Sequence, residues 1–255
     1  MVAGHTRRPA ASAAVRTAPA LSLPPPYSLV TLREAGDAFV HACRIAGEAG
    51  AGTLVWVRRF DLVEFAVVLE PEEPLATARR AFYCGMNALS DAIAATCPPE
   101  RELQFEWPGS LVFNGGRIGG GRLGWPEACS DDEVPDWLVF SGMVTAAWVG
   151  LGDPGTRPDA TALEEEGFEA DGPALVETFA RYLMLGFDTL AAQGFDAIAA
   201  RYLARLVIRK AGERRGIAGN GDLLIHRPAG LERLSLADAV RAPAWFDPAT
   251  GMPKV

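Results

Sequence analysis

The stretch from Phe105 to Trp125, FEWPGSLVFNGGRIGGGRLGW, decides how we interpret the rest of the chain. Asn114-Gly115 lies between two apolar runs, and this dipeptide is the strongest short-range signal for a β-hairpin. The returning strand carries three consecutive glycines, Gly119, Gly120 and Gly121. Glycine weakens a strand that has only to pack, so something must lie close against this backbone. We therefore predict a ligand at the glycine strand.

The same stretch resembles the core hairpin of the biotin and lipoate protein ligase family. In that hairpin a Lys-Trp-Pro-Asn-Asp strand turns and returns as an Arg-Lys-Leu-Ala-Gly-like strand that lines the acyl pocket. Glu106-Trp107-Pro108-Gly109-Ser110 stands at the first motif and Gly116-Arg117-Ile118-Gly119-Gly120 at the second. Downstream, Trp137 to Gly142 is similar to the family's next strand, and Thr161 to Gly167 to its closing segment. The resemblance covers most of residues 29 to 245.

The resemblance implies an α+β fold, with a mixed, largely antiparallel sheet packed by helices and a small C-terminal β-rich module. We expect residues 1–26 to be a disordered tail rich in Ala, Pro and Arg, residues 27–206 to be the ligase-like domain, and residues 207–255 to be the module and its tail. Apolar periodicity predicts the following elements. They are helices over 32–49, 75–96, from 173 and over 195–206, and strands over 53–57, 62–69 and 137–143.

Composition excludes several classes of function. The net charge of −8 and the absence of a basic stripe argue against a nucleic-acid partner. The sequence has no secretory signal and no apolar segment long enough to span a bilayer, so we expect a cytoplasmic protein without a membrane partner. Its four cysteines show no CxxC pairing, which predicts free thiols.

Lysine is almost absent, since Lys210 and Lys254 are the only two in the chain. This matters because the resemblance implies activation of a carboxylic acid by ATP and transfer of the acyl group to a lysine of an acceptor protein. Biotin, lipoate or octanoate, with ATP and magnesium, are the ligands so implied. The family's chemistry uses two lysines of its own, and their places are taken here by Glu106 and Arg117.

These replacements change what the site can do. Arg117 can hold a carboxylate, a carbonyl or a phosphate, but it cannot supply a labile proton near neutral pH. Glu106 repels a phosphate unless Arg117, Arg122 or a metal compensates. The family's Gly-Arg-rich loop, which folds over the acyl-adenylate, is replaced by the short run Arg58 to Asp61. We therefore expect standard ATP-dependent ligation to be impaired or absent.

Two further functions stay open within this interpretation. In the transferase branch of the family a cysteine takes an acyl group from a carrier, and Cys129, in the loop after the glycine strand, is the candidate nucleophile. Its thiol would need a cationic environment, which Arg117 or Arg122 would supply. Alternatively, the chain is a binding module that kept the pocket for a small carboxylic acid or a modified partner protein. The resemblance also makes a homodimer plausible.

The predicted site residues fall into two groups, and we predict no metal site. We assign a catalytic role to Arg117 and Cys129. The predicted cofactor-binding residues are Glu106, Trp107, Gly119, Gly120, Gly121 and Arg122.

Overall fold

A seven-stranded sheet forms the centre of the structure, a computed structural model that describes residues 21–33, 36–97, 102–149, 157–168, 171–207 and 212–254. The strands are β1 (Ser28–Arg33), β2 (Thr53–Arg58), β3 (Leu62–Leu69), β4 (Leu103–Glu106), β5 (Ser110–Phe113), β6 (Gly116–Gly124) and β7 (Leu138–Thr145). Their order is β1-β2-β3-β7-β6-β5-β4. β1 and β2 run parallel and the other neighbours antiparallel. The predicted mixed, largely antiparallel sheet is therefore confirmed.

Helices cover both faces of this sheet. They are α1 (Ala38–Ala49), α2 (Leu75–Ala78), α3 (Ala81–Ala94), α4 (Gly172–Gln193) and α5 (Phe195–Ala204). Side chains alternate between faces along a strand, and in β3 Val67 packs in the large core with α3 and α4, whereas Ala66 and Val68 pack beneath α1. On the α3 and α4 side, the rings of Phe140 and Phe179 stack with centroids 5.8 Å apart.

The predicted hairpin is confirmed at its turn. Asn114 and Gly115 both have positive φ, 49° and 87°, as the two central residues of a type I′ turn require. The register between β5 and β6 shifts at Leu111 and Val112, which pair with Gly119 and Arg117. Ile118 is therefore an extra residue in β6, and this bulge lies directly before the glycines.

The first predicted helix, over 32–49, is wrong in its first turn and a half. Leu32 and Arg33 belong to β1 and pair with Val57 and Arg58 of β2. The helix begins only at Ala38, because the side chain of Asp37 accepts hydrogen bonds from the N–H groups of residues 39 and 40 and so caps it. The helix predicted over 75–96 is divided into α2 and α3. The helix predicted from 173 is confirmed as α4, capped by Asp171.

The C-terminal residues form the predicted β-rich segment. It contains an antiparallel sheet of β8 (Arg214–Ile217), β9 (Leu223–Arg227) and β10 (Gly230–Leu234), then α6 (Leu236–Arg241) and a two-stranded pair, β11 (Phe246–Asp247) and β12 (Met252–Pro253). Leu223, Ile225, Leu236 and Val240 belong to the large core. The segment thus shares its apolar core with the main domain.

The predicted N-terminal tail differs from the expectation where the structure describes it. Residues 1–20 lie outside the described residues. Leu21 and Leu23 pack against the large core, and the backbone N–H of Ser22 donates to Glu177 of α4 at 2.7 Å. Residues 21–23 are therefore held against the large core and α4. Within the described parts of the chain, the helices are all too short or too polar to cross a membrane.

Candidate functional site

The glycines of β6 are packed against atoms of the chain itself. A Cβ on Gly119 would collide with the carbonyl of Met143, and one on Gly120 would lie 2.5 Å from Nε1 of the Trp245 indole. A Cβ on Gly121 would lie 2.6 Å from the sulfur of Met86 in α3. The predicted close approach to this backbone is thus present, but its occupants are side chains and backbone of the same chain. The glycines alone therefore give no support for a ligand.

Trp245 anchors the C-terminal tail, by which we mean the residues from Arg241 to Lys254. It is 1% exposed, contacts Leu62 and Met143, and its Nε1–H donates to the carbonyl of Gly121 at 3.3 Å. Its own carbonyl accepts from the backbone N–H of Lys254 at 2.8 Å. The tail is therefore fixed across the strand that the resemblance assigns to the acyl pocket.

Arg122 lies beside Trp245 on the same side of β6 and is 6% exposed. Its guanidinium donates to both carboxylate oxygens of Asp37, at 2.7 and 3.1 Å. The guanidinium carbon also lies 4.5 Å from the centre of the Phe39 ring and 4.3 Å from that of Phe246. Asp37 is thus the counter-ion of Arg122, and two aromatic rings hold the plane of the guanidinium.

A buried carboxylate, Glu64 on β3, completes this cluster. It is 2% exposed and accepts a hydrogen bond from the backbone N–H of Ala38 at 2.7 Å. Burial raises the pKa of Glu64, and Asp37 raises it further, while the Ala38 hydrogen bond, Arg122 and Arg59 oppose the shift. The N-terminus of α1 would otherwise attract an anion, but here the carboxylates of Asp37 and Glu64 already occupy it.

The two residues that stand where the resemblance implies lysines, Glu106 and Arg117, form an ion pair. Arg117 lies 3.8 Å from Glu106, and both side chains are partly exposed. Residues 159–161 run beside Arg117, whose N–H donates to the carbonyl of Asp159 and whose carbonyl accepts from the N–H of Thr161, each at 2.9 Å. Arg117 thus supplies the compensating charge that Glu106 was expected to need.

The structure separates Trp107 from Arg122. The indole N–H of Trp107 donates to the hydroxyl of Tyr83 in α3 at 3.1 Å, and the ring packs against the large core. Arg122 contacts α1 and the tail instead. The predicted cofactor-binding residues are therefore divided between the two sides of the sheet.

Cys129 lies in an acidic environment. Desolvation raises the pKa of its thiol, Glu133 and Asp136 raise it further, and Arg79 opposes them. The thiol contacts the carbonyls of Ser130 and Glu133, at 3.5 and 3.7 Å. The arginine that acts on this thiol is thus Arg79 rather than Arg117 or Arg122, and the thiolate needed for attack is disfavoured.

The link between β2 and β3 consists of Arg59, Phe60 and Asp61. Arg59 donates to both carboxylate oxygens of Asp61, at 3.0 and 2.7 Å, which closes the link on itself. Phe60 is 76% exposed. This tight connection leaves no loop that could fold over a nucleotide from this edge.

A cavity of about 740 Å³ lies where the end of β6 meets the C-terminal tail. Its main-domain wall includes Phe39, Arg122 and Trp125, and its other wall includes Arg241, Phe246 and Lys254. Sequence reasoning missed Arg241 and Lys254, because they lie far along the chain from the hairpin. The scarcity of lysine was the one signal that singled out Lys254.

Comparisons with known proteins agree with this architecture. The chain is 25% identical over 217 residues to a biotin--[acetyl-CoA-carboxylase] ligase of Paracoccus denitrificans, covering 80% of this chain and 90% of the relative. The structure of this chain is similar to that of a biotin protein ligase-like protein of unknown function from Silicibacter. The TM-score is 0.76 at 25% identity, and the match covers 86% of this chain and 98% of the other. The apo biotin protein ligase of Aquifex aeolicus has the same fold, with a TM-score of 0.63, 15% identity and coverage of 82% and 95%.

The family model of the biotin/lipoate A/B protein ligases matches residues 23–204, which is most of the chain. This match agrees with the predicted resemblance and with the order of strands and helices in the structure. The chain therefore belongs to the biotin/lipoate A/B protein ligase family.

Proposed function

We propose that this protein recognises a small carboxylic acid and does not carry out the ATP-dependent ligation of its family. One observation carries the proposal: Glu106 and Arg117 stand at the family's two lysine positions and form an ion pair with each other. A paired arginine has less charge to offer to a phosphate or an acyl carbonyl, and the adjacent carboxylate repels the phosphate.

The short link between β2 and β3 supports the same conclusion. The Aquifex aeolicus ligase has been solved with biotin and ATP, so that enzyme holds both substrates on this fold. Here Arg59 is bound by Asp61, and the three-residue link offers few backbone N–H groups for a triphosphate. The chain thus keeps the fold while it lacks the groups that the resemblance assigns to nucleotide binding.

Recognition of an acid is favoured by the cavity beside β6. Three cationic side chains and one carboxylate line it, together with aromatic rings. Ligand pockets of about 300–1,000 Å³ with mainly apolar walls and a few polar groups are typical of small-molecule sites. Acyl transfer through Cys129 has less support, because its acidic neighbours disfavour the thiolate.

The experiment is a paired assay of the purified protein. Calorimetric titration with biotin, lipoate and octanoate measures acid binding, and acid-dependent exchange of labelled pyrophosphate into ATP measures adenylation. We expect an acid to bind with the same affinity with and without magnesium-ATP, and no pyrophosphate exchange. Exchange that depends on an added acid would contradict the proposal.

The double variant Glu106→Lys with Arg117→Lys restores both lysines and tests whether their replacement is what prevents adenylation. We expect this double variant also to lack exchange, because the link between β2 and β3 stays short; restored exchange would show that the Glu106–Arg117 pair alone blocks adenylation. The biotin--[acetyl-CoA-carboxylase] ligase of Paracoccus denitrificans is the positive control for the assay.

A further inference from the structure

The cavity beside β6 has one wall from the sheet and α1 and another from the C-terminal residues. Phe39, Arg122 and Trp125 form the first wall, and Arg241 and Lys254 belong to the second. The tail therefore contributes charged groups to a space that the main domain alone would leave open on one side.

The three cations of this cavity differ in how far they are already engaged. Arg122 is 6% exposed, and Asp37 holds its guanidinium through two hydrogen bonds. Arg241 and Lys254 are exposed, and neither takes part in an ion pair among the described residues. Lys254 acts on Asp247, whose pKa is lowered mainly by local hydrogen bonds.

Arg241 is held in place by an aromatic ring rather than by an acid. Its guanidinium carbon lies 5.2 Å from the centre of the Trp125 ring, which orients the group while leaving its N–H donors unpaired by that contact. Among the described residues of the lining, Glu127 is the one carboxylate. The lining charges thus favour an anion of low charge over a cation or a polyphosphate.

The apolar part of the cavity indicates the body of that anion. Phe39, Trp125 and Phe246 line the cavity with their rings, and Val240 and Pro243 are further apolar lining residues. The face of Gly120 is already covered by the indole of Trp245, so a ligand on this side of β6 is directed toward the end of the strand. The chemistry that fits is a monocarboxylate with a flat or ring-bearing apolar body.

The C-terminal tail is anchored to the sheet between its two cations, Arg241 and Lys254. Trp245 is buried, and its carbonyl accepts from the N–H of Lys254. α6 ends at Arg241, four residues before that anchor. The packing of Trp245 therefore anchors the backbone between Arg241 and Lys254, and the Trp125 ring orients the guanidinium of Arg241.

We propose that the C-terminal tail completes the ligand site: Arg241 and Lys254 hold the carboxylate of a ring-bearing small acid whose apolar body lies on Phe39, Trp125 and Phe246. This inference rests on the proposed recognition of a small carboxylic acid and assigns that recognition to residues outside the predicted hairpin.

The test compares an acid with its uncharged analogue. Calorimetric titrations use biotin and 3-phenylpropionate as acids, with biotinamide and 3-phenylpropanamide as the matched amides. We expect the wild-type protein to bind an acid at least about tenfold more tightly than its amide. We expect Arg241→Gln with Lys254→Gln to weaken acid binding about tenfold or more, and to leave amide binding nearly unchanged.

A control variant that also loses two positive charges separates recognition inside the cavity from the effect of the protein's net charge. Arg181→Gln with Arg214→Gln removes two exposed arginines of α4 and β8 that lie outside the cavity lining. We expect this control to bind acids as the wild type does. Circular dichroism and thermal unfolding show whether each variant keeps its fold, and Lys254→Arg should retain most of the acid affinity.

Retained acid binding in the Arg241 and Lys254 double variant would overturn this assignment and leave the proposed function standing. An equal loss in the two double variants would also overturn it. Acid-dependent pyrophosphate exchange would instead contradict the proposed function, whatever Arg241 and Lys254 contribute to binding.

Discussion

The two faces of the central sheet are built from the same strands but bury different kinds of side chain. Toward α3 and α4, β6 and β7 present Gly121, Leu123 and Phe140, and the surroundings are apolar. Toward α1 and the tail, the same sheet presents Arg122 and Glu64, both more than nine-tenths buried. One face therefore has only to pack, whereas the other must also satisfy charges.

This difference explains why the tail is part of the second face. A buried charge is costly unless it is paired and hydrogen-bonded, and α1 supplies Asp37 and the N–H of Ala38 for that purpose. The tail adds the Trp245 indole and the Phe246 ring over the remaining strand surface. The charged face is thus covered by a segment that is distant in sequence, and the cavity lies where this segment meets the end of β6.

The largest change in stability is expected from Trp245→Ala, which removes the indole from the charged face. Replacing a buried tryptophan by alanine typically lowers the free energy of unfolding by about 3–5 kcal/mol. Urea unfolding measures the effect. Trp148→Ala is the control, because Trp148 is only half-buried and bonds to Glu165 near the surface, so we expect a loss of about 1 kcal/mol or less.

Free indole sharpens this result. The Trp245 indole fills a space beside Gly120 that accommodates an aromatic ring. Millimolar indole should therefore refill this space in Trp245→Ala and raise the melting temperature of that variant, and should leave the melting temperature of the wild type unchanged. If indole leaves the melting temperature of Trp245→Ala unchanged, the vacated space has collapsed, and an equal rise in both proteins would show that indole binds elsewhere.

A pair of glycine variants compares the two faces directly. A Cβ at Gly120 would meet the backbone carbonyl of Gly109 and the fixed indole, whereas a Cβ at Gly121 would first meet the flexible side chain of Met86. We expect Gly120→Ala to lower the free energy of unfolding by about 1–3 kcal/mol and Gly121→Ala to lower it less. Gly47→Ala, on the exposed side of α1 with open space around it, should be neutral or stabilising.

The pH dependence of stability tests the buried carboxylate of the charged face. The pKa of Glu64 is raised in the folded protein, so the unfolded chain loses this proton first as the pH rises. Over that interval the folded state binds more protons, and the free energy of unfolding falls with rising pH. In Glu64→Gln this fall should be absent, since the amide oxygen still accepts from Ala38. Unfolding curves between pH 4 and 8 measure it.

The exposed Glu70 provides the comparison for that series. Glu70→Gln should keep the slope of the wild type, because Glu70 lies outside the buried cluster of Asp37, Glu64 and Arg122. A slope shared by the Glu64 variant and the wild type would show that other groups set the pH dependence.

The smallest effect is expected for the ion pair at the family's lysine positions. Arg117 and Glu106 are 3.8 Å apart and partly exposed, and such pairs contribute about 0–1 kcal/mol. A double-mutant cycle with Glu106→Gln and Arg117→Met measures the coupling. A coupling well above this range would mean that the pair is a structural support of the hairpin rather than a replacement for the two lysines.

Local sequence determined several features by itself. Asn114-Gly115 specifies the hairpin turn because both positions need positive φ, and Asp171 specifies the start of α4 by capping it. The glycines of β6 required a close neighbour, and the motif order indicated the family. Each of these signals acts within a few residues, or through an order of elements that is read along the chain.

Tertiary structure alone decided which neighbour each group meets. Trp245 reaches Gly121 across 124 positions, Arg122 meets Asp37 across 85, and Lys254 reaches the cavity beside β6 from the end of the chain. Periodicity and spacing carry no record of such contacts, because they depend on how the whole sheet, α1 and the tail pack together. The indole of Trp245 therefore lies against Gly120, where the sequence predicts a ligand, and the candidate site that we propose lies where the tail meets the sheet.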